Sequence, residues 1–417
     1  MTDARTSVFR LPGFAAFWLA GTVSEFGTYV TTIALQVLVL TTLHGTAVDV
    51  GLVNASRWVP YLLFGLVIGA LVERRRRKPL LIAADLARGL LLGAIPLLAA
   101  VGRLSVPTLM VFIAAFGVFS LINDAAIQSY LPRLVPKASL LAANARIDQS
   151  SSVAQTSGPA IGGALVTLLS APIAVLVDAA SYLFSAISLS RVRLVEPRPT
   201  EGARPHLGRE IREGLRWVYR HPVLGPVAAS SHLWFVFSAM LGTVFVPFAL
   251  LDLHLSPFEL GLTLSAAGVG ALVGSLSATR LGRRWQAGQI VIVCCFLEPA
   301  AWAIIAVSPA APHPVVVAVL ALGQCIFGLG LGVSNAHEMG YRQVITPDRL
   351  QGRTNTTMRS FNRAAIILGA PLGGVLAVTI GYRPTLWIAI AGFVVVAVVL
   401  LASPFRRADH SDRPLEP

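Results

Sequence analysis

Long apolar runs separated by short polar connectors dominate this chain. Twelve of them, at approximately 13–41, 48–72, 79–101, 106–128, 139–169, 171–190, 223–252, 257–279, 287–308, 313–340, 350–380 and 382–403, carry few charged side chains. A helix rises 1.5 Å per residue, so about 20 apolar residues cross a ~30 Å hydrocarbon layer. The pattern predicts an all-α polytopic membrane protein with twelve transmembrane helices. The longest charged connector, Arg191 to Arg220, divides them six and six. The expected organisation is an N-terminal six-helix bundle at 1–190, a cytoplasmic linker at 191–222, a C-terminal bundle at 223–405 and a cytoplasmic tail at 406–417. Within the linker, Leu207, Ile211, Leu215 and Val218 recur at helical spacing against Arg209, Arg212, Arg216 and Arg220. That periodicity predicts an amphipathic helix lying on the inner membrane surface.

Composition strengthens this picture. Hydrophobic residues make up 55% of the chain and charged residues only 13%, against roughly a quarter charged in a soluble domain. A soluble enzyme is excluded on that balance. The formal net charge of +13 would fit a nucleic-acid partner if the basic residues formed a groove or tail. Instead they cluster in every second connector, as at Arg74–Lys78, Arg280–Arg284 and Arg342–Arg353, while the intervening connectors hold almost only Arg103 and Arg383. Alternation of this kind is the positive-inside pattern, and it places both termini in the cytoplasm with the lipid bilayer as the partner. The first apolar run is too long for a cleaved leader and reads as the first span. Arginine outnumbers lysine 31 to 2, a bias that fits a GC-rich bacterial genome and hence the bacterial inner membrane.

An internal repeat changes the reading from many helices to two related halves. Shifted by 211 residues, Ala125–Leu165 matches Ala336–Leu376 at nine of 41 ungapped positions, among them Pro136/Pro347, Gly158/Gly369, Gly162/Gly373 and Gly163/Gly374. Six helices per unit is an even number, so the halves share one orientation, as in transporters built from parallel repeats with a site between them.

Familiar catalytic chemistry is not found. A phosphate-binding loop needs a Gly-Lys pair, and the only lysines, Lys78 and Lys137, follow Arg77 and Pro136. The run GVGALVG from Gly268 has the wrong glycine spacing for a dinucleotide loop and reads as small-residue helix packing. His337-Glu338 begins a metalloprotease-like pair, but Tyr341 stands where the second histidine belongs. Cys294, Cys295 and Cys325 fall inside apolar runs without metal or disulfide spacing. The expectation is no enzyme, no cofactor and no metal.

Two motifs carry a resemblance. GALVERRRRK from Gly69 resembles the loop signature G-x-x-x-D-R-x-G-R-R/K of the major facilitator superfamily, with Gly69, Glu73, Arg74, Arg77 and Lys78 in register. Glu73 replaces the signature's Asp, and Arg76 stands at its Gly. GPAIGG, with Gly158, Pro159, Gly162 and Gly163, resembles the fifth-span motif of drug/proton antiporters, and DLARG from Asp85 and the run ending at Arg353 resemble the bacterial branch that exports macrolides and siderophores. The resemblance implies a cytoplasmic gate at Gly69, Glu73, Arg74, Arg77 and Lys78, joined by Asp148, Arg359 and Arg363. It implies close contact of the Gly158–Gly163 face with the opposite half.

Ionisable residues inside spans are functional candidates by default. Under that resemblance the first, fourth, seventh and tenth spans line a cavity. Glu25, Arg57, Asp124 and Glu338 become proton-coupling candidates, with His337 also facing the cavity, while Asp178 and Glu298 become structural partners. Glu25 and Arg57 lie at similar expected depths, ~18 Å and ~22 Å from the inner ends of their spans at 1.5 Å per residue. They suit either a coupling site or a permanent pair. Trp18, Tyr29, Trp234, Phe235 and Phe237, with Phe14 and Phe17, are expected cavity contacts. The function expected is secondary export of an amphipathic drug-like or natural-product molecule in exchange for protons, by a monomer. The alternatives are a facilitator or uptake symporter, or a membrane receptor or scaffold without turnover.

Overall fold

The protein is described here by a computed structural model covering residues 7–193 and 207–412. Connector residues 194–206, the tail beyond 412 and the side chain of Glu73 lie outside the described residues. Thirteen helices follow one another: α1 (Phe14–Val37), α2 (Ala47–Glu73), α3 (Arg77–Ala100), α4 (Val106–Leu134), α5 (Leu140–Leu169), α6 (Ala171–Ser190), α7 (Leu207–Arg220), α8 (Leu224–Pro247), α9 (Pro257–Gly282), α10 (Ala287–Ala306), α11 (His313–Ile345), α12 (Asp348–Ile380) and α13 (Tyr382–Ala402). Ten of them are long and apolar enough to cross a membrane. The other two long helices, α2 and α5, have 27 and 30 residues, and α5 is richer in polar positions such as Asn144, Arg146 and Asp148. The chain is a multi-pass membrane protein. It divides into two compact units, Met1–His44 with Val59–Arg204, and Gly45–Trp58 with Pro205–Pro417. The first part of α2 thus clusters with the second unit rather than with the N-terminal half.

In the first unit, α1 packs on α5 and α6, and α3 packs on α4 and α6. Small residues set these distances. A Cβ on Gly27 would overlap Asp178 Oδ1, and one on Gly158 or Gly162 would lie 2.7 Å from Tyr29 Cβ or 3.0 Å from Val30 Cα. The antiporter-like glycines Gly158 and Gly162 therefore meet α1 of their own unit. Pro159 lies within a continuous, buried stretch of α5.

In the second unit the same arrangement recurs: α8 packs on α12 and α13, and α10 packs on α11 and α13. Gly369 and Gly373 bring α12 against Val236 and Met240 of α8, as Gly158 and Gly162 bring α5 against α1. Finer marks repeat as well. A π-helical turn ends α1 at Leu38–Thr42 and α8 at Phe248–Asp252, and the following His44 and His254 have φ of 51° and 57°. Asp49 accepts from the Thr46 amide, and Glu259 from that of Ser256, at the next helix start. Gly51 and Gly374 further seat the first turns of α2 on α12, against Ala370 and Ala47.

One seam in the second unit is closer than the rest. Gly270 and Gly274 of α9 oppose Gly328 and Gly332 of α11, where a Cβ on any of the four would overlap a main-chain carbonyl across the seam. The GVGALVG run is thus a helix-packing surface, in which missing side chains let backbones approach in the absence of a hydrophobic drive between helices.

The linker helix α7 docks on α12 instead of lying free. Glu213 pairs with Arg349 and Arg353, Gly214 abuts Thr357, and Val218 is fully buried against Ala228 and Met358. Ile211 stays exposed, so only part of the apolar stripe remains for lipid. His221 Nδ1 accepts from the Val223 and Leu224 amides and so covers the start of α8. Burial pushes this imidazole's pKa down, keeping the accepting nitrogen unprotonated. The tail is also anchored: Phe405 is fully buried, and the Gly288 amide donates to Ala408 O at 3.0 Å.

The glycine seam gives a stability test. Gly270→Ala or Gly328→Ala forces α9 and α11 apart and should cost about 1–3 kcal/mol. Gly69→Ala and Gly242→Ala, where a Cβ meets nothing within 4 Å, should be neutral or gain up to about 1 kcal/mol from helix propensity. Thermal unfolding of the detergent-solubilised variants measures the difference, and equal melting temperatures across both pairs would contradict the packing argument.

Candidate transport and gating sites

The second unit contains a cavity of about 300 Å³ between α8, α10, α11 and α13. Its polar lining comes from Ser230, Ser231, Ser334 and Asn335, and its charge from Glu298 and Glu338. Glu298 is 2% exposed. Trp234 Nε1 donates to its Oε2 at 2.6 Å, and the indole is stacked on Phe393 with Phe235 edge-on beside it. Glu338 is paired one turn along α11 with Arg342, at 3.1 Å. Sequence reasoning placed Glu298 among structural partners. It does hold Trp234, but it also forms part of a cavity wall. Trp234 and Phe235 line this cavity, whereas Phe237 fills the space over Gly392 of α13.

In the first unit, Glu25 of α1 is half-buried and accepts from Ser151 Oγ of α5 at 2.6 Å. Among the described residues of that unit, no cation lies at ion-pair distance from it. Tyr61 Oη donates to Asp124 Oδ2 at 2.8 Å. Asp178 is fully buried and accepts from Ser181. Trp18 donates through Nε1 to Arg146 O, and Tyr29 backs onto Gly158. Phe14 is fully buried, and Phe17 is nearly so, packed on Tyr130; both correct the expectation of cavity contact. Arg57 lies over the ring of its neighbour Trp58, as does Arg363 of α12. Glu25 and Arg57 belong to different units.

The sequence reading overlooked the most heavily buried ion pair. Asp85 and Arg88, one turn apart on α3, form a salt bridge. Asn123 Nδ2 and Ser185 Oγ donate to Asp85 at 3.2 and 2.6 Å. The Arg88 guanidinium lies 4.3 Å over the Tyr182 ring, and the Tyr182 hydroxyl is 3.0 Å from Thr28 Oγ1 on α1. Opposite charges three residues apart inside an apolar run were the available signal.

The loop-motif residues act within the first unit. Arg77 is 4% exposed and donates to Ser129 Oγ of α4. Lys78 Nζ donates to Ser190 O and Val192 O at the end of α6. Together they tie the start of α3 to the ends of α4 and α6. Gly69 borders open space, and Arg74 is exposed in the turn after α2. Asp148 and Arg359 are exposed. His337, expected at the cavity, is instead buried, bonded to Ala278 O and to His410 of the tail at 3.1 Å each.

Known proteins resemble the chain along its whole length. The family described as transmembrane secretion effector matches residues 4–416. The multidrug efflux pump Tap of Mycolicibacterium fortuitum is 27% identical over 99% of this chain and 100% of its own. Macrolide efflux protein A of Streptococcus pyogenes is 21% identical over 93% and 94%. Among solved structures, the nucleoside transporter NupG superposes with a TM-score of 0.74 at 12% identity, covering 94% of this chain and 98% of that one. A bacterial homologue of the iron transporter ferroportin gives 0.74 at 15% identity over 95% and 99%.

The buried Asp85–Arg88 pair lends itself to a double-mutant cycle. Arg88→Leu strands a buried carboxylate and should cost about 3–5 kcal/mol, whereas Asp85→Leu with Arg88→Leu removes both charges and should cost less. Thermal denaturation in detergent measures both, and a double variant less stable than the single would show that the pair is not a closed unit.

Proposed function

The chain belongs to the transmembrane secretion effector family of the major facilitator superfamily, and from that premise we propose that it is a secondary exporter of amphipathic drug-like or natural-product molecules, driven by proton antiport. The near full-length match to two efflux proteins carries this reading. Twelve spans in two six-helix bundles, both termini in the cytoplasm and a bacterial inner-membrane location belong to the same proposal, with α2 and α5 completing the set of spans.

Coupling is assigned to Glu25. Its carboxyl group accepts from Ser151, the one hydrogen bond it has among the described residues, and a carboxyl group inside a span in general keeps its proton until water or a cation reaches it. Alternation between those conditions moves a proton. Asp124, held by Tyr61, and Glu338, paired with Arg342, are already committed and rank behind it. Glu73, Arg77 and Lys78 form the cytoplasmic gate, and the clamp of α3 to α4 and α6 supplies the rigid edge such a gate needs.

Uptake of a macrolide into inside-out vesicles, with and without a proton uncoupler, tests the reading. Uncoupler-sensitive accumulation is expected. Accumulation that ignores the uncoupler removes antiport, and no transport of any compound restores the receptor alternative. Glu25→Gln should lose uphill export while keeping downhill exchange. Arg77→Ala should abolish export from a correctly inserted protein; activity within about twofold of the parent, a difference near 0.4 kcal/mol, would remove the gate assignment.

A further inference from the structure

One buried pair stands out among the equivalent positions at which the two units differ. At an offset of 210, the offset that also relates the starts of α3 and α10, Asp85 and Arg88 correspond to Cys295 and Glu298. In the first unit the position holds a closed ion pair with zero net charge, capped by Asn123 and Ser185. In the second unit it holds a lone carboxyl group. Trp234 satisfies one oxygen; among the described residues, Oε1 of Glu298 has no hydrogen-bond partner, and no Lys, Arg or His lies at ion-pair distance. The residue is nevertheless 2% exposed and sits in the wall of a cavity.

Groups on every helix around this carboxyl group leave the negative charge unanswered. From α8 come Ser230, Ser231, Trp234 and Phe235, from α11 Ser334, Asn335 and Glu338, from α10 Cys295, and from α13 and the tail only apolar side chains. Arg342, one turn along α11, is taken by Glu338. An unpaired charge inside a span is costly, and a cationic ligand would offset that cost. The rest of the cavity selects what kind of cation. Aromatic and aliphatic walls around few polar groups favour an apolar body, and aromatic faces add cation–π attraction. An anion is opposed by both carboxyl groups. A metal ion would need a donor cluster, and among the described residues no group of three His, Cys, Asp or Glu forms one.

We infer that the cavity of the second unit is a binding site for lipophilic organic cations, with Glu298 as the charge partner and Trp234 orienting its carboxyl group. This assignment rests on the exporter reading and names the substrate class of that transporter. Glu298 thereby reads the charge of the substrate, and the aromatic wall reads its bulk.

Binding of methyltriphenylphosphonium and of triphenylphosphine oxide to the purified full-length protein tests the inference, because the two have nearly the same shape and only the first is charged. The parent should bind the phosphonium at least about tenfold more tightly, a difference near 1.4 kcal/mol. Glu298→Gln should remove that preference while leaving oxide affinity within about twofold, and Glu298→Asp should keep part of it. Equal affinity of the parent for both compounds overturns the inference without any variant, as does an unchanged preference in Glu298→Gln. Vesicle uptake of a macrolide in the same preparation separates the two levels. Macrolide transport with no charge preference defeats the cation class alone, whereas absence of all transport defeats the exporter reading.

Discussion

In hydrocarbon no water is available to satisfy a polar group, so every backbone amide must be paired inside its own helix, and every buried side-chain charge must find a partner or a use. That constraint accounts for the all-helical build of both units. It also makes each polar departure informative. Asp85 and Arg88 meet the constraint by pairing with each other and with Asn123 and Ser185. Asp178 meets it by pressing against the bare backbone at Gly27 and accepting from Ser181. Glu298 meets it only by half, through Trp234.

Because lipid tails are as apolar as leucine, helices gain little by burying leucines against one another, and shape decides which faces meet. The glycines do that work here. Gly158 and Gly162 seat α5 on α1, Gly369 and Gly373 seat α12 on α8, and a denser set closes α9 on α11. The repeat is retained in these contacts more faithfully than in residue identity. Positive-φ residues after equivalent π-helical turns, His44 and His254, keep the corner geometry even though the helices they join have diverged.

Much of this was legible in sequence because it depends on composition and spacing. Apolar runs locate helices, and an ungapped offset preserving Pro136/Pro347 and Gly162/Gly373 announces related halves. What was hidden depends on which way a helix faces. The glycines of α5 were legible as a packing face, but not that the face meets α1 in the same unit. Gly69 was in register with a known signature yet borders open space. Linker residues at amphipathic spacing fitted a membrane surface, while Glu213 finds Arg349 and Arg353 on α12, partners about 140 residues away that no local pattern indicates. Asp85 and Arg88 were visible as letters and were passed over because neighbouring opposite charges inside a span were not treated as a unit.

Divergence between the halves then follows from the same solvent rule. After duplication, a buried ion pair is a stable but inert solution, since neither member is available to anything else. Replacing the arginine position by Glu298 and the aspartate position by Cys295 removes the internal counter-charge while keeping the helix register. The second unit is left with a carboxyl group that needs a partner from outside the fold, beside a cavity of about 300 Å³ that can admit one. One half seals its charge in a buried ion pair, and the other sets the Glu298 carboxyl group in the wall of a cavity.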